Sequence, residues 1–117
     1  MKLIPILLLS IVLIACDSAD MTTETAITAI EQGALIIDVR SEEEVASGML
    51  PNAIHIPHDD ILAGTKSLNL SPDQSIVLYC RSGNRSGIAL ETLKSAGFTH
   101  ALNGGGYATL SARLQTE

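Results

Sequence analysis

The chain has 117 residues, 46% of them hydrophobic, with aromatic residues at only 3% and a formal net charge of −6. That length suits one small domain, and the shortage of rings excludes an aromatic core in favour of Leu, Ile, Val and Ala. An acidic surface repels phosphate backbones and anionic headgroups, so no nucleic-acid partner is expected.

In chain order, Met1-Lys2 supplies a positive start and Leu3 to Leu13 an apolar core too short to span a bilayer. With the small Ala15 before Cys16, residues 1–15 read as a secretory signal. Leu13-Ile14-Ala15-Cys16 resembles the lipobox of bacterial lipoproteins, which implies cleavage before Cys16 and acylation on it. An ordinary signal peptide or an uncleaved anchor is the plainer reading. In enterobacterial lipoproteins an aspartate at the next position resembles an inner-membrane retention signal, and here it is Asp17. The expectation is a cell-envelope protein, lipid-anchored and facing the periplasm. Residues 16–21 would be the anchor and a short tether, and 22–117 the folded domain.

Thr22-Thr23-Glu24 reads as a helix start, with Ala26, Ile27 and Ile30 at helical spacing and Gly33 as the stop. Ala34 to Val39 is a continuous β-rich run, the pattern of a strand covered on both faces. Ser41 caps a short helix opening on Glu42-Glu43-Glu44, where acidic residues suit the N-terminal dipole. Turn material at 48–52 leads to a brief strand at 53–56. A helical turn or two after Pro57 is expected to end near Gly64, and Ser71-Pro72-Asp73-Gln74 is a further turn. A central strand over 76–79 is followed by a polar loop and a helix over 86–96, ended by Gly97. His100-Ala101-Leu102 makes a last strand, Gly104-Gly105-Gly106 a turn near the Cys80 loop, and 107–115 a terminal helix. Strands alternating with helices imply an α/β fold: three layers, a mainly parallel sheet with helices on both faces.

The chemistry concentrates in Cys80-Arg81-Ser82-Gly83-Asn84-Arg85-Ser86. A strand, a tight loop and a helix N-terminus in succession place the Cys80 sulfur before a ring of unsatisfied N–H groups. Such a ring, the helix dipole and the arginines all favour a thiolate. Gly83, with Asn84 as a second candidate, supplies the backbone angles that turn successive N–H groups inward. Arg81 and Arg85 are candidates to bind an anionic substrate, and Ser86 to cap the helix. If Cys16 carries lipid, Cys80 has no intrachain disulfide partner, which points to an exposed, reactive thiol open to overoxidation or mixed-disulfide capture.

Several motifs in order resemble the single-domain rhodaneses, a sulfurtransferase family. They are Ile37-Asp38-Val39-Arg40 followed by Glu44, Gly48-x-x-Pro51-x-Ala53-x-x-Ile56-Pro57, the Cys80 loop, Ala89-x-x-Leu93-x-x-x-Gly97-Phe98 and Leu102-x-Gly104-Gly105. The resemblance covers residues 22–115. It implies that Cys80 takes a sulfane sulfur from a small anionic donor such as thiosulfate, carries it as a persulfide, and passes it to a thiol or protein acceptor, with no cofactor. It also implies that Asp38 and Arg40 support the loop rather than react. Two positions depart from the family pattern: Met49 stands where many members have histidine, and Leu110 where many have tryptophan.

Plainer readings stand beside these. Arg81 is also readable as a solvated surface residue, Asp38 as a strand-end cap, and Glu42-Glu43-Glu44 as nothing more than a helix N-terminus. His55, His58 and His100 lack metal-ligand spacing, so no metal site is expected. A related phosphatase or arsenate reductase would place five residues between cysteine and arginine, whereas four separate Cys80 from Arg85. A non-catalytic binding module is the remaining alternative, disfavoured by the intact Cys80, Gly83 and arginines.

Overall fold

The computed structural model describes residues 18–115, with side chains described from residue 22. Cys16, Asp17 and the expected signal therefore lie outside the described residues. Among the described residues no helix is long and apolar enough to cross a membrane. The elements run α1 (Ser18–Glu31), β1 (Leu35–Asp38), α2 (Glu42–Val45), β2 (Ile54–His55), a 3₁₀ turn (His58–Asp60), α3 (Ile61–Ser67), β3 (Ile76–Cys80), α4 (Asn84–Ser95), β4 (Ala101–Gly106) and α5 (Tyr107–Gln115).

The four strands form one parallel sheet in the order β2-β1-β3-β4. The central run Ile76-Val77-Leu78-Tyr79-Cys80 is buried throughout because both faces are covered. Its side chains alternate between two cores, as strand geometry demands. Ile76, Leu78 and Cys80 join Ile37, Val39, Ile56, Ile61, Ala89 and Leu93 under α3 and α4. Val77 and Tyr79 join Ala26, Ile27, Ile36, Leu50 and Leu110 under α1 and α5. Leu110 is fully buried there.

Four expected boundaries move. Helix α1 already includes Ser18, four residues ahead of the expected start at Thr22, so most of the expected tether is helical. Helix α3 passes through Gly64 to Ser67 because Thr65, one turn after Ile61, still has a core to enter. Helix α4 begins at Asn84 rather than Ser86. The three glycines are not a turn but the end of β4, with Tyr79 opposite Gly105 and Cys80 opposite Gly106 across a register shift. The expected close approach is real: a Cβ on Gly106 would sit 2.7 Å from the Arg81 carbonyl oxygen.

At the carboxyl rim, Asp38 and Arg40 form a buried two-point ion pair, Nη2–Oδ2 at 2.7 Å and Nε–Oδ1 at 3.0 Å. Asp38 also accepts the Arg40 backbone N–H at 2.9 Å, the strand-end cap expected of it. The Arg40 guanidinium donates to the Gly48 carbonyl at 2.6 Å and lies 4.3 Å over the Tyr107 ring. Tyr107 stacks on buried Tyr79, whose hydroxyl accepts the Leu50 N–H at 3.0 Å. One ion pair thus ties β1, the 48–50 turn, β3 and α5 together. Replacing Asp38 by Ala strands the buried Arg40 charge and should cost about 3–5 kcal/mol. Urea unfolding measures this; a loss under 1 kcal/mol would show that the pair is dispensable.

Candidate active site at the carboxyl end of the central strand

Strand β3 ends at Cys80, and only residues 81–83 separate it from helix α4. The chain makes this reversal at Gly83, whose φ of +94° lies in the left-handed region that glycine enters without strain. Gly83 alone supplies the unusual angle; Asn84, the second candidate, is already the first helical residue and is exposed. The turn aims the Gly83 N–H at the Cys80 sulfur, 2.9 Å away. The amides of Ser82 and Ser86 point at the same atom.

The sulfur is buried, with only 1% of the residue exposed. This corrects the expectation of an exposed thiol and reduces the overoxidation hazard attached to it: the sulfur lies at the floor of its cradle, in the core under α4. Burial by itself pushes the thiol pKa up. The Ser86 hydroxyl, then the amides of Ser86, Ser82 and Gly83, outweigh it and leave the thiol below its ordinary value. Arginine charge is a lesser contributor than expected, because hydrogen bonding to the sulfur does most of the work.

Ser86 is not the cap. It sits in the first turn of α4, fully buried, its hydroxyl 3.4 Å from the Cys80 sulfur and 2.8 Å from Asn103 Oδ1. Asn103 also donates from Nδ2 to the Gly83 carbonyl at 2.9 Å and accepts the Gly105 N–H at 2.9 Å. Sequence reading missed Asn103; the available signal was a polar residue at the open position of Leu102-x-Gly104-Gly105.

Arg85 was expected to offer its guanidinium to an anion, and the structure gives it another partner. Its two terminal nitrogens donate to the two oxygens of Glu44 at 2.6 and 2.9 Å. Glu44 closes a capping box with Ser41, so α2 and α4 are clamped across the site. The triple glutamate is therefore a helix start with one member committed to the loop. The Arg85 bond, then the Ser41 contacts, bring the Glu44 carboxyl down to about 2. Arg81 is exposed and makes no ion pair among the described residues. Of the histidines, His55 donates to the Arg40 carbonyl at 2.7 Å, His58 pairs with Asp59, and His100 lies 2.9 Å from the Thr99 hydroxyl.

A family model for the rhodanese-like domain matches residues 22–112. The chain belongs to the rhodanese-like family. It is 33% identical over 87 residues to a sulfurtransferase of Allochromatium vinosum, covering 74% of this chain and 77% of that one. The thiosulfate sulfurtransferase PspE of Escherichia coli is 33% identical over 70 residues, 60% of this chain and 67% of its own. The solved human single-domain sulfurtransferase TSTD1 superposes with a TM-score of 0.63 at 27% identity, covering 80% of this chain and 92% of that one. The match to a putative sulfurtransferase of Bacillus subtilis covers 59% of that protein, and the match to a much longer tRNA sulfurtransferase of Desulfurococcus amylolyticus covers 17% of it. Sulfur transfer in general is what these rhodanese-like relatives share.

Two outcomes follow for this rhodanese-like domain. Ser86→Ala removes the largest group favouring the thiolate, so Cys80 should titrate at higher pH and react several-fold more slowly with iodoacetamide near neutrality. An unchanged alkylation profile would show that the hydroxyl does not serve the sulfur. Glu44→Gln should destabilise the fold by about 1 kcal/mol at pH 7, since the pair is largely covered but lies at the surface. Because the folded Glu44 pKa is depressed from 4.5 to about 2, the clamp is fully present above pH 4.5 and lost as pH falls towards 2. Melting curves of the two proteins should therefore differ by a constant amount from pH 5 to 7 and converge only at lower pH.

Proposed function

We propose that this chain moves a sulfane sulfur from an anionic donor, thiosulfate being the simplest, to a thiophilic acceptor through a persulfide on Cys80. The observation that carries the reading is the Cys80 sulfur bonded by the Gly83 amide at 2.9 Å at the start of a helix. In the first half-reaction the Cys80 thiolate attacks the outer sulfur of thiosulfate. A new S–S bond forms as the donor's own breaks, and sulfite departs with the electron pair. In the second, a nucleophile such as cyanide or a thiolate attacks the terminal sulfur and Cys80 leaves as thiolate. The amides that favour the thiolate are placed to steady the persulfide anion, as an oxyanion hole serves oxygen. Arg81 is the proposed contact for the donor's sulfonate, and Arg85 with Glu44 holds the loop in shape.

A phosphatase or arsenate reductase needs room for a tetrahedral anion and an arginine facing it. Here the Gly83 amide already touches the sulfur and both Arg85 terminal nitrogens are engaged by Glu44. That geometry suits a single added sulfur atom.

The full-length protein should turn over thiosulfate and cyanide to thiocyanate, and Cys80→Ser should abolish this while remaining folded. Arg81→Ala should raise KM for thiosulfate about tenfold or more with a smaller change in kcat. Turnover that survives in Cys80→Ser would overturn the proposal. Lipid attachment at Cys16 and an envelope location belong to the same reading, on the strength of residues 13–17 alone. Labelling with a tagged fatty acid in a bacterial host, lost in Cys16→Ala, would support them; equal labelling of the variant, or none, would not.

A further inference from the structure

The Ser86 hydroxyl has two neighbours and one hydrogen. It lies 2.8 Å from Asn103 Oδ1 and 3.4 Å from the Cys80 sulfur. The orientation of the Asn103 amide is set by its other contacts. Its Oδ1 faces the Gly105 N–H, a donor, and its Nδ2 faces the Gly83 carbonyl, an acceptor, each at 2.9 Å. Flipping the amide would set donor against donor and acceptor against acceptor. Asn103 Oδ1 can therefore only accept from Ser86, and the shorter contact takes the serine hydrogen. The serine oxygen is then left with its lone pairs towards sulfur, suited to receive an S–H.

We propose that Asn103 is a positioning residue that controls the Ser86 hydroxyl, holding its hydrogen away from the Cys80 thiol and releasing it when the sulfur becomes an anion. In the thiol the bonds run from S–H to Ser86 and from Ser86 to Asn103. When the thiol proton is lost to solvent base, the hydroxyl rotates and donates to sulfur. Asn103 Oδ1 keeps the Gly105 N–H, so nothing buried is left unpaired. The Gly83 carbonyl, which also accepts the Gly87 N–H at 3.0 Å, anchors the other end of the amide throughout. The inference rests on the reading of Cys80 as a sulfur-carrying anion and adds a residue that adjusts how readily that anion forms.

The other titratable or charged groups on the neighbouring elements are Arg81 in the loop, Arg85, Glu91 and Lys94 on α4, Glu44 on α2, Asp38 and Arg40 by the end of β1, His58, Asp59 and Asp60 on the turn packed against α4, and Glu24 and Glu31 on α1. None of them contacts Asn103 in the hydrogen bonds above, so substitution at 103 leaves their pairing alone. Asn103 is half-buried and lines an open cleft of about 330 Å³ with Thr22, Thr25, Leu90 and Leu102, which gives a replacement side chain space to relax.

The test is the pH profile of Cys80 alkylation by iodoacetamide in the full-length protein, which requires no sulfur donor. Asn103→Asp supplies a stronger acceptor that retains the serine hydrogen and places negative charge nearby, so the profile should move to higher pH. Asn103→Ala removes the competing acceptor, frees the hydroxyl for sulfur, and should move the profile to lower pH. In a Ser86→Ala background the Ala effect should vanish and the Asp effect shrink to what charge alone exerts. A loosened loop would instead move both variants the same way. Same-direction shifts, no shift, or shifts unchanged by Ser86→Ala would overturn the proposal, and if one variant fails to fold the other decides it when paired with Ser86→Ala. A wild type that alkylates as expected but never transfers sulfur would sink the sulfurtransferase reading and leave this test standing.

Discussion

Everything at this site depends on a buried sulfur that the proposed reaction requires to carry negative charge. Desolvation opposes the thiolate, and the protein answers with dipoles rather than with an adjacent cation: the Ser86 hydroxyl and the amides of Ser86, Ser82 and Gly83 favour charge on Cys80. Fixed dipoles cost no reorganisation when charge develops, and in the proposed reaction they would serve a thiolate and a persulfide in the same place. The arginines are arranged around that centre, with Arg85 spent on Glu44 and Arg81 left at the surface.

Such a cradle works only if its backbone is held still. Two ion pairs do this from opposite sides. Asp38–Arg40 fixes the rim where β1 meets β3 and pins the 48–50 turn, while Glu44–Arg85 clamps α2 to α4 across the loop. The parallel sheet brings them together, because it gathers the carboxyl ends of β1 and β3 on one edge. Gly106, opposite Cys80, lets β4 pass within contact of the loop backbone, and Asn103 on the same strand reaches the serine beside the sulfur.

The layers, the alternation of helix and strand, and the place of Cys80 were legible because each has a local cause. The apolar run 76–79 reads as a strand covered on both faces, and the polar stretch after Cys80 marks where it stops, one residue later than expected. Roles that depend on distant partners were not legible. Glu44 lies 41 residues from Arg85, and Asn103 lies 17 from Ser86, so no spacing rule joins either pair. Ser86 read as a cap because serine favours caps; the tight turn at Gly83 started the helix two residues earlier and carried the hydroxyl round to the sulfur. The glycines read as a turn because glycine favours turns, when the constraint was the space beside Arg81.

The central claim is that Cys80 itself carries the transferred sulfur. The most direct measurement is the mass of the Cys80 peptide from full-length protein after thiosulfate, before and after cyanide. The account predicts a gain of one sulfur atom on Cys80 that cyanide removes. A peptide that stays a free thiol under conditions where thiocyanate is produced would contradict it.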